Sequence, residues 1–564
     1  MKTRLFFLAF LVLIVSVSCQ RAPHGAVGVL GKHGMVVSAH PEASAIGLQI
    51  LKKGGNAVDA ACAVGFALSV CYPAAGNIGG GGFMVIRTSR GEVNTLNYRE
   101  KAPLASSRDM YLDDRSNVIP GASTNTILAT GVPGSVAGLA EAHERYGKLN
   151  WNDLVQPAIH LAQKGFPLTA HQAAYLNSLK KVFIKRNNAT PIPFVKDGKW
   201  QKGDTLRQPD LAHTLELIRD YKKDGFYKGV TAEKIVSFIQ NNGGLLTMQD
   251  LSDYQVQWLK PISGTYRNYT FYSMPPPSSG GIALYQLLKM AEPYPLKDSG
   301  WNQKATVHYL AEVEKRVFAD RTRFLGDPDF IDIPVDKLLD PEYITRRIKE
   351  IPLDRASKPD EIEAGKFTYT EHTETTHYSI TDTWGNAVAV TTTLNGGYGN
   401  KMVVTGAGFF LNNEMDDFSV KPGVPNMYGL IGGEANAIAP GKRMLSSMTP
   451  TILTKNEKLF MVVGSPGGST IITSVFQTIL DVVDYGMTMQ EAVSAPRFHH
   501  QWLPDYIRAE PEAFDSTTVS ALQLMGYSLK IRGTIGRVDA IRVWPDGTYE
   551  GGADPRGDDS AKGY

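Results

Sequence analysis

Threonine hydroxyls that could act as nucleophiles are concentrated in one stretch of this sequence. A strand-like segment runs from Thr375 to Thr381, and a second one begins at Ala387 after a five-residue loop. This pattern predicts a β-hairpin. If Thr381 pairs with Ala387, antiparallel counting places Thr375 opposite Thr393, with Cβ atoms roughly 4.5–5.5 Å apart. Two hydroxyls would then meet at the start of the first strand, although β-branched residues also suit strands for packing alone.

A group of charged residues is the second candidate for chemistry. Three carboxylates, Glu414, Asp416 and Asp417, follow a strand-like run directly. They could bind a cation such as Ca²⁺, although their spacing matches no EF-hand loop, or the ammonium group of a substrate. Arg99 ends a predicted strand and has the planar guanidinium that suits a carboxylate clamp; a surface ion pair is the alternative.

Two loops complete the set of candidate site elements. Gly467 and Gly468 lie between a predicted buried strand, 459–464, and a predicted helix, 471–485. Backbone N–H groups at such a helix start can form an anion site or an oxyanion hole, and a plain turn is the alternative. The Gly/Pro-rich segment 421–433 has the composition and length of a lid.

The elements that must position these residues fall into blocks along the chain. Pro41 is suited to the first position of a predicted helix that runs to about residue 53, and segment 57–72 predicts a helix buried on all sides. Residues from about 130 to 350 are mainly helical by periodicity. The polar run 352–374 predicts an exposed linker that leads into the hairpin.

The beginning of the chain predicts export. Lys2 and Arg4 precede a short apolar run, which is typical of a secretory signal over residues 1–19 and too short to span a membrane. Ser18–Cys19 resembles a bacterial lipoprotein cleavage site and predicts a lipidated Cys19; ordinary signal cleavage nearby is the alternative.

Composition excludes several classes of protein. The chain has 564 residues and a formal charge of +2, so nothing in it favours nucleic-acid binding. Beyond the signal, only Cys62 and Cys71 remain. Nine residues apart on one helix, they would be roughly 13.5 Å apart along its axis, too far for a disulfide, so we expect free buried thiols.

Several motifs together resemble the γ-glutamyltranspeptidase family over essentially the whole mature chain. They are Thr375-Thr-His-Tyr-Ser379, Leu411-Asn-Asn-Glu-Met-Asp-Asp-Phe418, Lys421-Pro-Gly-Val-Pro-Asn426, Leu445-Ser-Ser-Met448, Gly464-Ser-Pro-Gly-Gly-Ser469 and Ala495-Pro-Arg-Phe-His-His500. The resemblance implies an α/β fold, the four-layer αββα sandwich of N-terminal-nucleophile hydrolases. It also implies a proenzyme that cuts itself between Glu374 and Thr375. Residues 20–374 would form the large subunit and residues 375–564 the small catalytic one, packed as one unit.

The resemblance also implies roles for individual residues. Thr375 would be the nucleophile and Thr393 its orienting partner, while Gly467 and Gly468 would bind the oxyanion. The remaining positions would hold the amino-acid head of the substrate: Arg99, Ser446 and Ser447 its α-carboxylate, Asn395, Glu414 and Asp417 its α-ammonium, with Tyr428 in the lid. The carboxylate group is then better explained by ammonium binding than by a metal.

The expected activity is that of a γ-glutamyltransferase and glutathione hydrolase, with no cofactor. The partners would be glutathione, other γ-glutamyl compounds, and amino-acid or dipeptide acceptors, in the bacterial periplasm or at a membrane through a lipid anchor. One alternative is a glutaryl-type β-lactam acylase of the same superfamily, whose substrate has no amine for the acidic residues to bind. Another is a non-catalytic exported lipoprotein that binds peptides, which the intact Thr375 and Thr393 disfavour.

Overall fold

Two large antiparallel sheets form the centre of the molecule. The computed structural model describes residues 25–362 and 375–564. Sheet 1 contains the predicted hairpin and has the strand order β19-β2-β10-β11-β3-β4-β7. Its strands are β2 (Met35–Ser38), β3 (Gly81–Arg87), β4 (Val93–Tyr98), β7 (Gln257–Leu259), β10 (Thr376–Thr381), β11 (Ala387–Thr393) and β19 (Ser560–Gly563).

Sheet 2 packs against sheet 1 and has the order β1-β18-β17-β13-β12-β9-β8. Its strands are β1 (Val29–Gly31), β8 (Ile262–Tyr266), β9 (Tyr269–Ser273), β12 (Thr451–Lys455), β13 (Lys458–Gly464), β17 (Asp539–Val543) and β18 (Tyr549–Gly552). Two small sheets lie outside this pair: β5 (Phe166–Pro167) with β6 (Thr205–Leu206), and β14 (Phe498–His499), β15 (Ile507–Ala509) and β16 (Leu529–Ile531).

Helices cover the outer face of each sheet. The first group comprises α1 (Pro41–Lys52), α2 (Ala57–Cys71), α3 (Ala122–Asn125), α4 (Ser135–Tyr146), α5 (Trp151–Lys164), α6 (Ala170–Arg186), α7 (Pro209–Tyr221), α8 (Asp224–Tyr227), α9 (Gly229–Asn241) and α10 (Met248–Ser252). The second comprises α11 (Gly280–Ala291), α12 (Leu296–Ser299), α13 (Lys304–Phe324), α14 (Val335–Leu338), α15 (Pro341–Lys349), α16 (Thr470–Val483), α17 (Met489–Ser494) and α18 (Ser516–Leu524).

Alternation along the strands produces four layers. In β2, Val36 packs into the core shared with α1, α2 and α4, whereas Met35 and Val37 face sheet 2. In β12, Ile452 faces sheet 1 and Leu453 packs into the core shared with α11, α13 and α16. Because both sheets bury both faces, the architecture is the αββα sandwich that the resemblance implies.

The predicted hairpin is confirmed in position and register. Thr381 pairs with Ala387, and pairing continues to Thr376 opposite Thr392. The hairpin is central, since β10 also pairs with β2 and β11 with β3. Close approach of chains at its end requires glycine, because a Cβ on Gly80 would lie 2.0 Å from the Thr393 carbonyl oxygen.

Most of the sequence-based expectations for the scaffold are also confirmed. His40 caps α1 with Pro41 in its first turn, and α2 is buried along its whole length. Cys62 and Cys71 are free and buried. Part of the predicted linker, together with Glu374 and Cys19, lies outside the described residues. Within residues 25–362 and 375–564, no helix is long and apolar enough to span a bilayer.

Candidate active site

Thr375 lies at the point where β10 begins, one residue before the first hydrogen-bonded pair of the hairpin. The residue is buried, and it borders two separate cavities. Thr393, at the end of β11, borders the first of them. Its hydroxyl accepts a hydrogen bond of 2.7 Å from the backbone N–H of Asn395, which fixes its orientation. The central strands therefore deliver both threonines to one site.

The first cavity, here called the narrow cavity, has a volume of about 20 Å³ and a strongly charged lining. It is bordered by Arg99, Arg321, Thr375, Thr393, Asn395, Glu414, Asp417, Tyr428, Leu430, Ser446, Ser447, Met448, Gly468 and Ile471. Most of the residues assigned to the site by resemblance thus meet around one small space. The chain brings them there from four places: the end of β4, the start of β10, the end of β11 and the loops between β11 and α16.

Arg99 is fully buried and surrounded by acids. Its Nη1 donates to Glu414, its Nη2 donates to Asp417 Oδ2 at 2.5 Å, and Glu100 Oε2 lies 3.5 Å from Nη1. Its remaining contacts are to backbone carbonyls, with Nε donating to Met444 O at 3.3 Å. The residues assigned to the two charged ends of a substrate are therefore paired with each other.

The three carboxylates around Arg99 all have raised pKa values. Burial raises the pKa of Glu414 well above its ordinary value, and it also raises the pKa of Asp417, although Arg99 opposes both shifts. Burial likewise raises the pKa of Glu100 to about 7. Because three carboxylates share this buried site, the negative charges of Glu100 and Asp417 add to the effect of burial and raise the pKa of Glu414 further.

Asp416, the third member of the acidic group, has a different role. It accepts from Ser123 Oγ at 2.6 Å and from the Met427 N–H at 2.8 Å, and so ties the lid segment to the body of the protein. Sequence proximity alone did not separate it from its neighbours. Among the described residues, no cluster of three or more His, Cys, Asp or Glu side chains could hold a metal ion.

Two serine hydroxyls that border the narrow cavity act as hydrogen-bond acceptors. Ser446 Oγ accepts from the Met448 N–H at 3.1 Å, and Ser447 Oγ accepts from Arg321 Nη2 at 3.1 Å. Within the part of the chain that the structure describes, neither hydroxyl donates a hydrogen bond. Both O–H groups are therefore available to an acceptor in the narrow cavity.

Gly467 and Gly468 form the turn between β13 and α16, as predicted. Both residues are buried, and their N–H groups donate to no acceptor among residues 25–362 and 375–564. Gly468 has a φ of +56°, and a Cβ there would lie 2.5 Å from Tyr428 Cδ1. Tyr428 in turn donates from its hydroxyl to the Asn395 carbonyl at 2.5 Å. The turn thus presents two unused donors next to a ring that closes the narrow cavity.

The second cavity, here called the wide cavity, lies on another side of Thr375 and has a volume of about 180 Å³. It is lined by Tyr72, His171, Thr375, Pro466, Gly467, Thr534, Gly536, Arg537 and Arg556. Arg537 is held by Asp559, with Nη2–Oδ2 at 2.6 Å, and by the Tyr72 hydroxyl. Of these residues, only Thr375 and Gly467 had been singled out from the sequence.

Comparison with known proteins identifies the relatives of this chain. Residues 43–564 match the family described as Gamma-glutamyltranspeptidase. The glutathione hydrolase proenzyme of Pseudomonas sp. (strain A14) is 48% identical over 550 residues, which cover 96% of this chain and 95% of that protein. The glutathione hydrolase proenzyme of Escherichia coli (strain K12) is 46% identical over 538 residues, which cover 95% and 93%.

Among solved structures, the cephalosporin acylase from Bacillus halodurans is similar over nearly the whole chain. The TM-score is 0.82 at 28% identity, covering 96% of this chain and 98% of the acylase. The same fold therefore supports both kinds of activity considered from the sequence, and the residues of the site must distinguish them.

Proposed function

Since this chain belongs to the gamma-glutamyltranspeptidase family, we propose that it is a self-processing γ-glutamyltransferase and glutathione hydrolase with Thr375 as nucleophile. The observation that carries the proposal is the position of Thr375. It stands at a strand end between a narrow cavity lined with opposite charges and a wide cavity, beside two unused backbone donors. A site built in this way can hold an amino-acid head on one side of a scissile amide and the rest of the substrate on the other.

Self-cleavage prepares the nucleophile. The Thr375 hydroxyl attacks the carbonyl carbon of Glu374, the C–N bond breaks as the amine takes up a proton, and water hydrolyses the resulting ester. The large subunit then ends at Glu374 and the small one begins at Thr375. The new α-amine has an ordinary pKa of about 7.7–8.0, which suits it to take the hydroxyl proton near neutral pH.

The released hydroxyl then attacks the γ-carbonyl of a γ-glutamyl amide, with Thr393 orienting it. The tetrahedral oxyanion forms next to the N–H groups of Gly467 and Gly468, where the loss of one such donor typically costs about 10²–10³ in rate. The leaving amine departs with a proton. Water releases glutamate from the γ-glutamyl-enzyme, or an acceptor amine takes the γ-glutamyl group.

The narrow cavity recognises the amino-acid head of the donor. Glu414 and Asp417, with Asn395, accept from the α-ammonium, while Arg99, Ser446 and Ser447 donate to the α-carboxylate. Binding a zwitterion adds one charge of each sign to a network that already contains both, so the exchange of partners leaves no charge isolated. Because about 20 Å³ is room for little more than one water molecule, the head enters only as Tyr428 and its loop move away.

The wide cavity would take the leaving peptide and, later, the acceptor amino acid or dipeptide. Its volume of about 180 Å³ and its mixed lining of Tyr72, His171, Thr534 and Arg537 place few demands on side-chain shape. We also propose export, with Cys19 as the site of a lipid anchor. Metabolic labelling with a fatty acid, compared between the native chain and Cys19→Ala, tests the anchor.

The decisive experiment is the Thr375→Ala variant. We expect the native protein to give two bands on a denaturing gel and to hydrolyse glutathione. Thr375→Ala should give one uncut, inactive chain, whereas Thr375→Ser, which keeps a hydroxyl, should still be cut. A single uncut band from the native protein would contradict self-processing, and activity in Thr375→Ala would contradict the assignment of the nucleophile.

The glutaryl acylase is a second candidate because of the structural similarity to cephalosporin acylase. A glutaryl group has no amine, so it would leave Glu414 and Asp417 without a cationic partner from the substrate. We therefore expect hydrolysis of a γ-glutamyl anilide to exceed that of a glutaryl anilide by at least ~10²-fold, the scale of an unmade charged hydrogen bond. A preference for the glutaryl compound would favour the acylase.

A further inference from the structure

Arg321 is a second buried guanidinium at the narrow cavity, and no sequence motif had marked it. It lies on α13, is 4% exposed, and borders the same space as Thr375 and Arg99. Its Nε donates to Ser279 Oγ at 2.9 Å and its Nη2 donates to Ser447 Oγ at 3.1 Å. Both partners are neutral hydroxyls.

The two guanidiniums of the narrow cavity differ in their charge balance. Arg99 has three carboxylates within 3.5 Å. Arg321 has none within 4.0 Å among the described residues, although Arg316, five residues earlier on the same helix, pairs with Glu312 at 2.8 Å. Burial accordingly lowers the pKa of Arg321 to about 10, with Asp417 acting in the opposite direction. A buried cation without a counter-ion is costly unless an anion binds beside it.

Ser447 connects this charge to the cavity. Its oxygen accepts the Arg321 N–H, so its own proton must point elsewhere, and no described residue accepts it. Ser279 links Arg321 to the backbone of the Ser446–Ser447 turn and so holds the two in place. Its hydroxyl accepts from Arg321 and donates to the Ser446 carbonyl at 2.7 Å. An anion that accepts from Ser447 would therefore lie next to the uncompensated charge of Arg321.

We propose that Arg321 is a further specificity-determining residue, which supplies the positive charge for the α-carboxylate of the γ-glutamyl donor through and beside Ser447. Arg99 is held mainly by Glu414 and Asp417, and so it serves to keep these acids in place as well as to contact the substrate. The inference rests on the proposed function, because it concerns the donor of that reaction.

The test compares two donors in three proteins. The donors are a γ-glutamyl anilide and the matching 4-aminobutanoyl anilide, which retains the amine and lacks the α-carboxylate. The proteins are the native enzyme, Arg321→Gln and Arg321→Lys. We expect Arg321→Gln to lower kcat/KM for the first donor by at least ~30-fold, chiefly through KM, and to change the second donor by less than about threefold. Arg321→Lys should keep part of the preference for the γ-glutamyl donor, because lysine keeps the positive charge but lacks the planar guanidinium that can donate two parallel hydrogen bonds.

A purely structural role gives a different result. If Arg321 only supports the Ser446–Ser447 turn, both donors lose the same factor, and Ser279→Ala, which removes the Nε acceptor without removing charge, has the same effect as Arg321→Gln. Equal losses for both donors, or no loss for either, overturn the proposal. Product inhibition gives an independent measure, since the inhibition constant of glutamate should rise with Arg321→Gln and that of 4-aminobutanoate should not.

Separate controls test whether each variant folds and whether the proposed function holds. Each variant is compared with the native protein for its two bands on a denaturing gel and its thermal melting. If Arg321→Gln does not fold, Arg321→Lys and Ser279→Ala decide. A charge effect predicts a partial loss confined to the γ-glutamyl donor in Arg321→Lys and no donor-selective loss in Ser279→Ala, whereas a support effect predicts equal losses on both donors in both variants. A native protein that neither cuts itself nor hydrolyses the γ-glutamyl donor contradicts the proposed function, whereas an active enzyme with an unchanged preference contradicts only the role of Arg321.

Discussion

The two cavities that Thr375 borders differ in volume and in the residues that line them. The narrow cavity has about 20 Å³ of space, and two buried arginines, Arg99 and Arg321, line it together with the acids Glu414 and Asp417. The wide cavity has about 180 Å³, roughly nine times as much space, and polar side chains such as Tyr72, His171 and Arg537 line it around that space. Charge-paired groups in a narrow buried site reject ligands that leave them unpaired, whereas a wider site has room for different ligands beside its polar groups. The contrast predicts an enzyme that is strict about its γ-glutamyl donor and permissive about leaving groups and acceptors.

The largest effect should follow from removing one charge in the narrow cavity. Asp417→Asn removes one negative charge beside Arg99 and replaces the charged acceptor of the substrate ammonium with a neutral one. We expect kcat/KM for a γ-glutamyl anilide to fall by about 10²–10³, and that for a glutaryl anilide to change by less than tenfold. Asp416→Asn is the matched control, since Asp416 binds Ser123 and the lid backbone. Equal losses on both donors would contradict recognition of the amine.

A substitution at Gly468 tests the turn that borders both cavities, because Gly468 lines the narrow cavity and Gly467 lines the wide one. Its replacement by alanine would place a Cβ 2.5 Å from the Tyr428 ring and would strain a backbone with φ of +56°. We expect kcat to fall by about 10²-fold because both the ring and the N–H donor shift. Gly486→Ala separates strain from contact. Gly486 has a φ of +72° with nothing near the added Cβ, so only stability should change, by about 1 kcal/mol. Similar rates for the two variants would argue against the contact.

The strand β10, which begins directly after Thr375, carries a buried histidine whose effect is on stability. His377 in β10 is hydrogen-bonded to Thr391 and Ser379, and burial lowers its pKa to about 3. A base whose pKa is lowered by folding binds more protons when unfolded, so its contribution is complete above about pH 6.5 and is lost as pH falls toward 3. Between pH 8 and pH 5 this amounts to about 2 kcal/mol.

Urea unfolding of the uncut Thr375→Ala chain at these two pH values measures the effect on a single polypeptide. His377→Gln in that background should lose about 2 kcal/mol less on acidification than the chain with His377. His40, His499 and His500, which are also buried with lowered pKa values, should keep part of the acid sensitivity. The same pH slope in both chains would contradict the assignment.

The smallest effect should come from the wide cavity. His171 lines it with a side chain that is 59% exposed. His171→Ala should change the KM of a dipeptide acceptor by no more than about fivefold and leave hydrolysis of the donor within twofold, since exposed contacts contribute little. His213→Ala removes an exposed histidine that borders neither cavity and is the control. A loss of more than tenfold in donor hydrolysis would show that the two cavities are not independent.

Local sequence patterns predicted much of this structure. Pairing Thr381 with Ala387 across the five-residue loop predicted the hairpin register correctly. The Gly-Gly turn after β13 was predicted from the apolar strand before it and the helical segment after it. The helix α6 lies within the block that was predicted to be mainly helical, although its own bounds were not predicted. Resemblance located most of the narrow cavity, since its motifs are short and contiguous.

Contacts between distant segments were beyond the reach of these patterns. Arg99 and Asp417 are 318 positions apart, so their pairing depends on how the end of β4 meets the turn Glu414–Asp417. Arg321 lies within a helix whose periodicity explains its position without suggesting a ligand. The wide cavity is assembled from side chains of Tyr72, His171 and Arg537, which share no motif. Such sites are created by tertiary packing, and only the folded chain brings them together.

Both central sheets combine strands from the two sides of Thr375. In sheet 1, β10 lies between β2 and β11, and in sheet 2, β12 lies between β9 and β13. A cut before Thr375 therefore divides the covalent chain without dividing the fold. Cleavage changes the molecularity of refolding. An uncut precursor refolds as one molecule, whereas the two subunits of the cut protein must also associate again. Recovery of the mature enzyme from denaturant should thus fall on dilution, and its lifetime is set by the rate of first unfolding rather than by a reversible equilibrium.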